Sequence, residues 1–325
     1  MVTDRCVGSV RHDGPVLDRD AVVRAEERLA GRVRCTPVAE VERAVFGAPV
    51  TVKLELLQHT GSFKPRGAFN RVLTGTVPAA GLIAASGGNA GLAVAYVARD
   101  LGHRAEIYLP ESSPATKVNR LRALGATVRI TGAFYADAYQ ASVRRAGRTG
   151  AMVVHAYDQP EVVAGNGSLG LELERRVPDV DTVLVAVGGG GLVAGVAAAL
   201  EGRARVVAVE PERIPTLHRA LSAGRPVDVP VGGVATDSLG ATRVGEVCLA
   251  VAIRTGVTSV LVPDDAIMRT RRVLWEELRV AAEPGGATAL AAVLCGAYRP
   301  ERGERLTAVV CGGNTDPATL TNPPG

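Results

Sequence analysis

A single lysine carries the most specific chemistry legible in this sequence. Lysine and arginine together number 37, yet lysine occurs only as Lys53, Lys64 and Lys117. Arginine supplies charge and hydrogen bonds, but its guanidinium stays protonated and forms no imine under ordinary conditions. Schiff-base chemistry with a carbonyl is a task that arginine cannot take over from lysine. Lys53 and Lys117 fit the role of ordinary surface cations as well as any other. Lys64 is set apart by its frame, Thr60-Gly61-Ser62-Phe63-Lys64-Pro65-Arg66-Gly67-Ala68. Val50, Val52 and Leu54 alternate with Thr51, Lys53 and Glu55, the period of a half-buried strand. The turn that follows ends in Ser62, a good helix N-cap, and Pro65 is tolerated in the first turn of the helix it opens. Lys64 is therefore predicted at a strand-to-helix corner.

Three further corners carry polar or glycine-rich residues. Gly188-Gly189-Gly190-Gly191 joins an apolar strand to a helix beginning near Leu192. Successive backbone N–H groups there can point inward, and a phosphate can approach the helix N-terminus without Cβ obstruction. A plain tight turn is the alternative. Ser86-Gly87-Gly88-Asn89-Ala90 can hold a carboxylate on backbone N–H groups, with Asn89 free to donate to a phenolate oxygen, or be no more than a serine-capped turn. Cys311-Gly312-Gly313-Asn314 follows the last apolar strand; a thiol is a weak donor, and inert packing is its ordinary role. Glu210 ends a strand and reads by default as a solvated carboxylate, and Glu283, before Pro284, as a helix-capping acid. The five histidines (His12, His59, His103, His155, His218) form no metal spacing and are read as non-catalytic. The glycines at 188–191 lack the dinucleotide fingerprint, no Gly-Lys pair makes a Walker loop, and His-Glu-x-x-His and Gly-x-Ser-x-Gly are missing.

The elements that position these corners alternate steadily. Asp18 to Leu29 reads as an amphipathic helix closed by Gly31. From Gly81 onward strands are predicted at 82–85, 105–109, 127–130, 152–154, 182–187, 206–209, 259–262 and 306–310. Helices are predicted between them at 90–101, 114–124, 134–148, 161–176, 192–201, 216–223, 243–254, 264–281 and 287–296. This rhythm predicts parallel sheets flanked by helices, an α/β chain whose ligands bind beyond the C-terminal strand ends. At 325 residues two lobes are expected. A net charge of +4 without a basic block implies no nucleic acid. No membrane is implied either, because no apolar run reaches spanning length, and without a signal-peptide core the protein is expected in the cytoplasm. Cys6, Cys35, Cys248, Cys295 and Cys311 are scattered, and an odd count argues against a disulfide framework.

Taken together, the four corners resemble those of the fold-type II pyridoxal-phosphate enzymes of the serine/threonine dehydratase group, from about Thr36-Pro37 to Asn314-Thr315-Asp316. Phe63 and Arg66-Gly67-Ala68 favour the dehydratase branch over the cysteine synthases. The resemblance implies a two-lobed fold of the tryptophan synthase β type, with a large cofactor-binding domain at 1–71 and 156–325 and a small domain at 72–155. It implies that Lys64 binds pyridoxal 5′-phosphate as a Schiff base and, once freed by the substrate amine, serves as base at Cα. Phe63, Asn89, Gly188 to Leu192 and Cys311 would contact the cofactor, and Ser86 to Ala90 the substrate carboxylate. By the same resemblance the cofactor phosphate would protonate a departing β-hydroxyl, and the expected products are a 2-oxo acid and ammonia.

Several details sharpen that expectation. On the resemblance, Cys311 would face the pyridine nitrogen with a neutral thiol, which suits elimination and discourages transamination. In the related serine racemases a serine stands where this chain has Gly87, so racemisation loses its second proton carrier. The chain ends soon after Asn314, leaving no room for the regulatory domain of allosteric threonine dehydratases. A cation is expected at Glu210, with the Ile214 carbonyl, Thr216 and carbonyls from the turn at Ser238 and Leu239; one carboxylate among neutral oxygens suits K⁺ better than Mg²⁺. A homodimer acting on a small β-hydroxy amino acid is expected, with L-serine or L-threonine first and hydroxyaspartate or phenylserine as alternatives. A serine racemase and, from another class, a nucleotide-binding oxidoreductase complete the alternatives. Lys53→Arg and Lys117→Arg are expected to leave turnover in place, and Lys64→Ala to abolish it.

Overall fold

The computed structural model describes residues 17–321; Cys6 and His12 lie outside the described residues. Ten strands form two sheets. Strands β1 (Val38–Val41), β2 (Val50–Lys53), β3 (Leu82–Ala85), β4 (Ala105–Leu109) and β5 (Thr127–Ile130) are followed by β6 (Met152–Val153), β7 (Thr182–Ala186), β8 (Arg205–Pro211), β9 (Thr258–Val262) and β10 (Leu306–Val309). The larger sheet runs β1-β2-β10-β7-β8-β9 and the smaller β5-β4-β3-β6. Every pair is parallel except β1 with β2, where Val38 faces Lys53 and Val41 faces Val50. The expected parallel sheets thus carry one antiparallel pair, at one edge of the larger sheet. The short helix Arg43–Phe46, closed by Gly47 in the left-handed region, turns the chain straight back and makes the antiparallel pair.

Burial follows the sheet type. Strand β7 is buried at all five positions and the helix Gly191–Ala199 at all nine, as expected for elements covered on every side. One apolar cluster fills the larger lobe around β7, β8 and β10, and a second fills the smaller lobe around β3 and β4. The helix Lys64–Leu73 crosses the helix Pro160–Arg176 at glycines. A Cβ on Gly67 would meet the Val162 carbonyl and Asn166 Oδ1, each at 2.7 Å, so only glycine permits this approach.

A buried charge network locks that crossing. Arg66 donates to Glu55 Oε1 at 2.6 Å, to Glu55 Oε2 at 3.0 Å, to Glu172 Oε2 at 2.8 Å and to Ser168 Oγ at 3.2 Å. Lys53 pairs with the other oxygen of Glu172 and donates to the Thr36 carbonyl at 2.5 Å. Thr36 in turn donates to Glu55 at 2.6 Å. Two cations and two carboxylates share the cluster, all buried. Lys53 is therefore no surface cation: its aliphatic stem and amine are enclosed, and burial lowers its pKa against the pull of Glu172.

Candidate active site

Lys64 opens its helix, as expected, but the capping chemistry differs. Phe63, in a helical conformation, is the N-cap, while Ser62 is extended, makes a β-bridge to Gly312 and leaves its buried hydroxyl without a partner. The Phe63 N–H donates to the Cys311 carbonyl at 3.1 Å. Two backbone links therefore tie the lysine turn to the Cys311-Gly312 corner, which follows β10. Thr60 takes a left-handed backbone, φ 61°, rare for a non-glycine residue. The strained turn delivers Lys64 into the cleft, where its amine donates to the Ala156 carbonyl at 2.7 Å and lies 4.8 Å from the Phe63 ring centre. Burial dominates its electrostatics and lowers its pKa to about 8, against the opposing pull of Cys311, Cys248 and Glu283.

The cleft is a cavity of 580 Å³ between the two sheets. From the smaller lobe come Ser86 to Ala90, Pro110, Ser113, Lys117 and Tyr135. Across from them stand Lys64, Ala156, Tyr157, Gly189 and the stretch Thr236–Thr242. Three of the four predicted corners thus reach one cavity. Phe63, Gly188, Gly190, Gly191, Leu192 and Cys311 do not line it. The Cys311 thiol is buried, donates to the Gly285 carbonyl at 3.5 Å and is pushed up to about 12, first by burial and then by Glu283. It is neutral at physiological pH.

The glycine corner has packing reasons of its own. Gly190 has φ 89°, and a Cβ on Gly189 would overlap the Tyr157 ring, which lies across the loop. Behind it, the helix Gly191–Ala199 points its N-terminus at the cavity end, and N–H groups of a first helical turn have no acceptor within the helix. The Ser86–Ala90 corner opens the helix Asn89–Asp100; Ser86 Oγ accepts from the Gly88 N–H at 3.3 Å. Lys117 reaches across the cavity mouth to Asp237, so it is a cleft residue rather than a plain surface cation.

Of the residues expected around a cation, Glu210, Ile214 and Thr216 are buried off the cavity, whereas Ser238 and Leu239 line it. Glu210 is fully buried and accepts from Leu217 N and His218 N at 2.8 Å each, Ser259 Oγ at 2.7 Å and Thr216 Oγ1 at 3.2 Å. The default of a solvated carboxylate is corrected. Burial raises its pKa, and among the described residues no basic side chain pairs with it. Thr216 Oγ1 also reaches the Gly188 carbonyl at 2.6 Å, and the Thr216 N–H occupies the Ile214 carbonyl at 3.0 Å.

Two contributors escaped sequence reasoning. Tyr157 had no signal beyond its place near a strand end. Glu283 stands at the N-cap of the helix Pro284–Leu294, as expected of a capping acid, but its side chain makes no capping bond. It turns instead to Asn89 Nδ2 at 2.6 Å. Only its position just before Pro284-Gly285-Gly286, close to the Cys311 corner in space, explains that choice.

The pyridoxal-phosphate dependent enzyme family matches residues 29–312. An L-threonine ammonia-lyase of Thermotoga maritima is 34% identical over 308 residues, 93% of this chain and 76% of that one. A phenylserine dehydratase of Ralstonia pickettii is 34% identical over 310 residues, 93% of this chain and 95% of that one. The solved structure of maize serine racemase superposes with a TM-score of 0.87 at 31% identity, covering 94% of this chain and 95% of that one.

Proposed function

The chain belongs to the pyridoxal-phosphate-dependent enzymes, in the serine/threonine dehydratase–serine racemase family, and from that premise we propose that it is an L-serine/L-threonine dehydratase releasing a 2-oxo acid and ammonia. The observation that carries this reading is the position of Lys64: its half-buried amine, with the pKa lowered to about 8, lines a cavity together with Ser86 to Ala90 and Gly189. The residues fit the cofactor: an amine neutral enough to react, a helix N-terminus for the phosphate, and an uncharged thiol rather than a carboxylate at the Cys311 corner. When bound, the cofactor supplies an electron-poor ring that makes the substrate Cα proton acidic.

The chain supplies the rest. Ser86 to Ala90 hold the substrate carboxylate on backbone N–H groups, and Asn89 donates toward the ring oxygen. Lys64 takes the proton from Cα at its Nζ. Gly87 offers no group on the second face, so elimination outpaces racemisation. Family membership removes the oxidoreductase alternative. A larger β-substituent, as in phenylserine, is the second reading; Tyr135 and Tyr157 on the cavity wall favour it.

We also infer a monovalent cation beside Glu210, with the Ile214 carbonyl, Thr216, Ser238 and Leu239 as its expected ligands; a buried carboxylate with no basic partner among the described residues supports a positive charge there. Cytoplasmic residence and a homodimer belong to the same reading.

The test has two parts. Borohydride reduction and peptide mapping should find the cofactor on Lys64 alone, and a panel of β-hydroxy amino acids should give 2-oxo acid fastest from serine and threonine. Label on another lysine, or no 2-oxo acid from either, overturns the reading. After dialysis into a bulky organic-cation buffer, K⁺ or NH₄⁺ should restore activity, Na⁺ less so, and Mg²⁺ alone should not.

A further inference from the structure

Asn89 is held on both ends of its amide. Its Nδ2 donates to Glu283 Oε1 at 2.6 Å, and its Oδ1 accepts from Asn314 Nδ2 at 2.7 Å. Asn314 is itself fixed, since the same Nδ2 also donates to the Thr60 carbonyl at 2.7 Å and its Oδ1 accepts from Arg120 at 2.7 Å. Glu283 is immobilised too. Its backbone N–H donates to the Gly312 carbonyl at 3.1 Å, and its carboxyl fills the space beside Gly312, where a Cβ would overlap Oε1. Glu283 is buried.

An amide group can present either a donor or an acceptor to a ligand. With Glu283 accepting from the nitrogen and Asn314 donating to the oxygen, the flipped orientation would set acceptor against acceptor and donor against donor. Only one orientation remains. In it, the second hydrogen of Asn89 Nδ2 is left for the cavity that Asn89 lines.

We propose that Glu283, together with Asn314, is a positioning residue that locks the Asn89 amide with its N–H toward the oxygen of the bound cofactor ring. This rests on the pyridoxal-phosphate reading above. The Glu283 carboxyl makes no capping bond to its own helix; it accepts from Asn89 Nδ2 and from the backbone N–H of Asn314, so both of its partners belong to the Asn89–Asn314 pair. Burial, more than any other influence, raises its pKa to about 7, opposed by Asn89 and the Asn314 N–H. Lys64, Asp237, Arg271 and Cys311 are the other charged or titratable groups that feel it. Even where Glu283 gains a proton, its second oxygen lone pairs still accept, so the lock is a matter of hydrogen-bond direction rather than charge.

The test is a double-mutant cycle on cofactor affinity, read by the visible band of the bound cofactor in equilibrium titration. Glu283→Leu should weaken cofactor binding roughly tenfold, the factor expected when a buried donor loses its acceptor. Glu283→Gln keeps an acceptor oxygen and should stay close to the unchanged protein. In an Asn89→Ala background, Glu283→Leu should have no further effect, because it acts through Asn89. Asn314→Ala, at a less buried position, should show the same coupling to Asn89 if Glu283→Leu does not fold. Additive effects in both cycles, or unchanged affinity in Glu283→Leu, overturn the proposal. Failure of the unchanged protein to take cofactor onto Lys64 would instead overturn the reading beneath it.

Discussion

Lys64 is the residue whose chemistry depends most on its surroundings. An exposed lysine is protonated up to about pH 10.4, and a protonated amine cannot attack a carbonyl. Burial lowers the Lys64 pKa to about 8. The neutral fraction of the apoprotein's amine therefore grows as pH rises through about 8 and is nearly complete one unit above it. Cofactor uptake, followed by growth of the visible band after mixing, should accelerate over that window and then level off. A rate still climbing beyond pH 10 would show an ordinary lysine. Gly87 shows the opposite dependence, on a side chain it lacks. Gly87→Ser should raise trace racemisation, but its Cβ would meet Leu109 Cδ2 at 3.0 Å, so Leu109 must give way. The double variant Gly87→Ser, Leu109→Ala should gain more than Gly87→Ser alone, measured as D-serine formed per pyruvate; equal ratios would sink the idea. At this scale the sequence exposed Lys64 through scarcity of its type. It misjudged Lys53 and Glu283, whose partners Glu172 and Asn89 lie 119 and 194 residues away.

Helix Lys64–Leu73 can hold its first residue steady only if the helix itself cannot shift. The Arg66 cluster supplies that hold, bridging β2, the turn at Glu55 and the helix Pro160–Arg176. Replacing a whole buried ion network by apolar residues is often neutral, whereas removing one member strands its partners. Arg66→Leu leaves Glu55 and Glu172 facing a single cation, Lys53. It should destabilise the apoprotein by about 3–5 kcal/mol, read as a lowered urea midpoint at constant slope. A change within experimental error would mean that the cluster contributes nothing net. Lys53→Arg, expected from the sequence to leave turnover in place, should be destabilising, because a longer planar guanidinium must enter the space of an enclosed amine. Elements with strong local signals were legible: the helix capped by Asp18, the glycine-closed helices and the buried runs of β7 and β10 all lie within a few residues of their predicted places. Strand β1, the helix Thr236–Leu239 and the bridge at Ser62 were not. Each is short and owes its form to a distant strand or loop rather than to a pattern of its own.

At the scale of the molecule, the cavity exists because two sheets with separate cores face one another, and its mouth is spanned by polar side chains. Lys117, in the helix Ala115–Ala123, pairs with Asp237 in the helix Thr236–Leu239, and one turn further along Arg120 reaches Asn314. Asp237 is 67% exposed and Lys117 30%, so solvent screens the pair and its share of folding stability is small. Its effect should appear in the cleft instead. A pair that bridges the mouth favours the closed arrangement by a small free energy, and added salt weakens it. Asp237→Asn should therefore leave thermal stability nearly unchanged while raising KM for the amino acid. Raising ionic strength with a bulky organic-cation salt, at fixed K⁺, should raise KM of the unchanged enzyme toward that of the variant. The variant itself should respond little, having lost the charge that salt screens. Holding K⁺ constant separates this screening from the cation expected beside Glu210. Parallel salt curves for the two proteins would show that Lys117 and Asp237 meet without biasing the cleft.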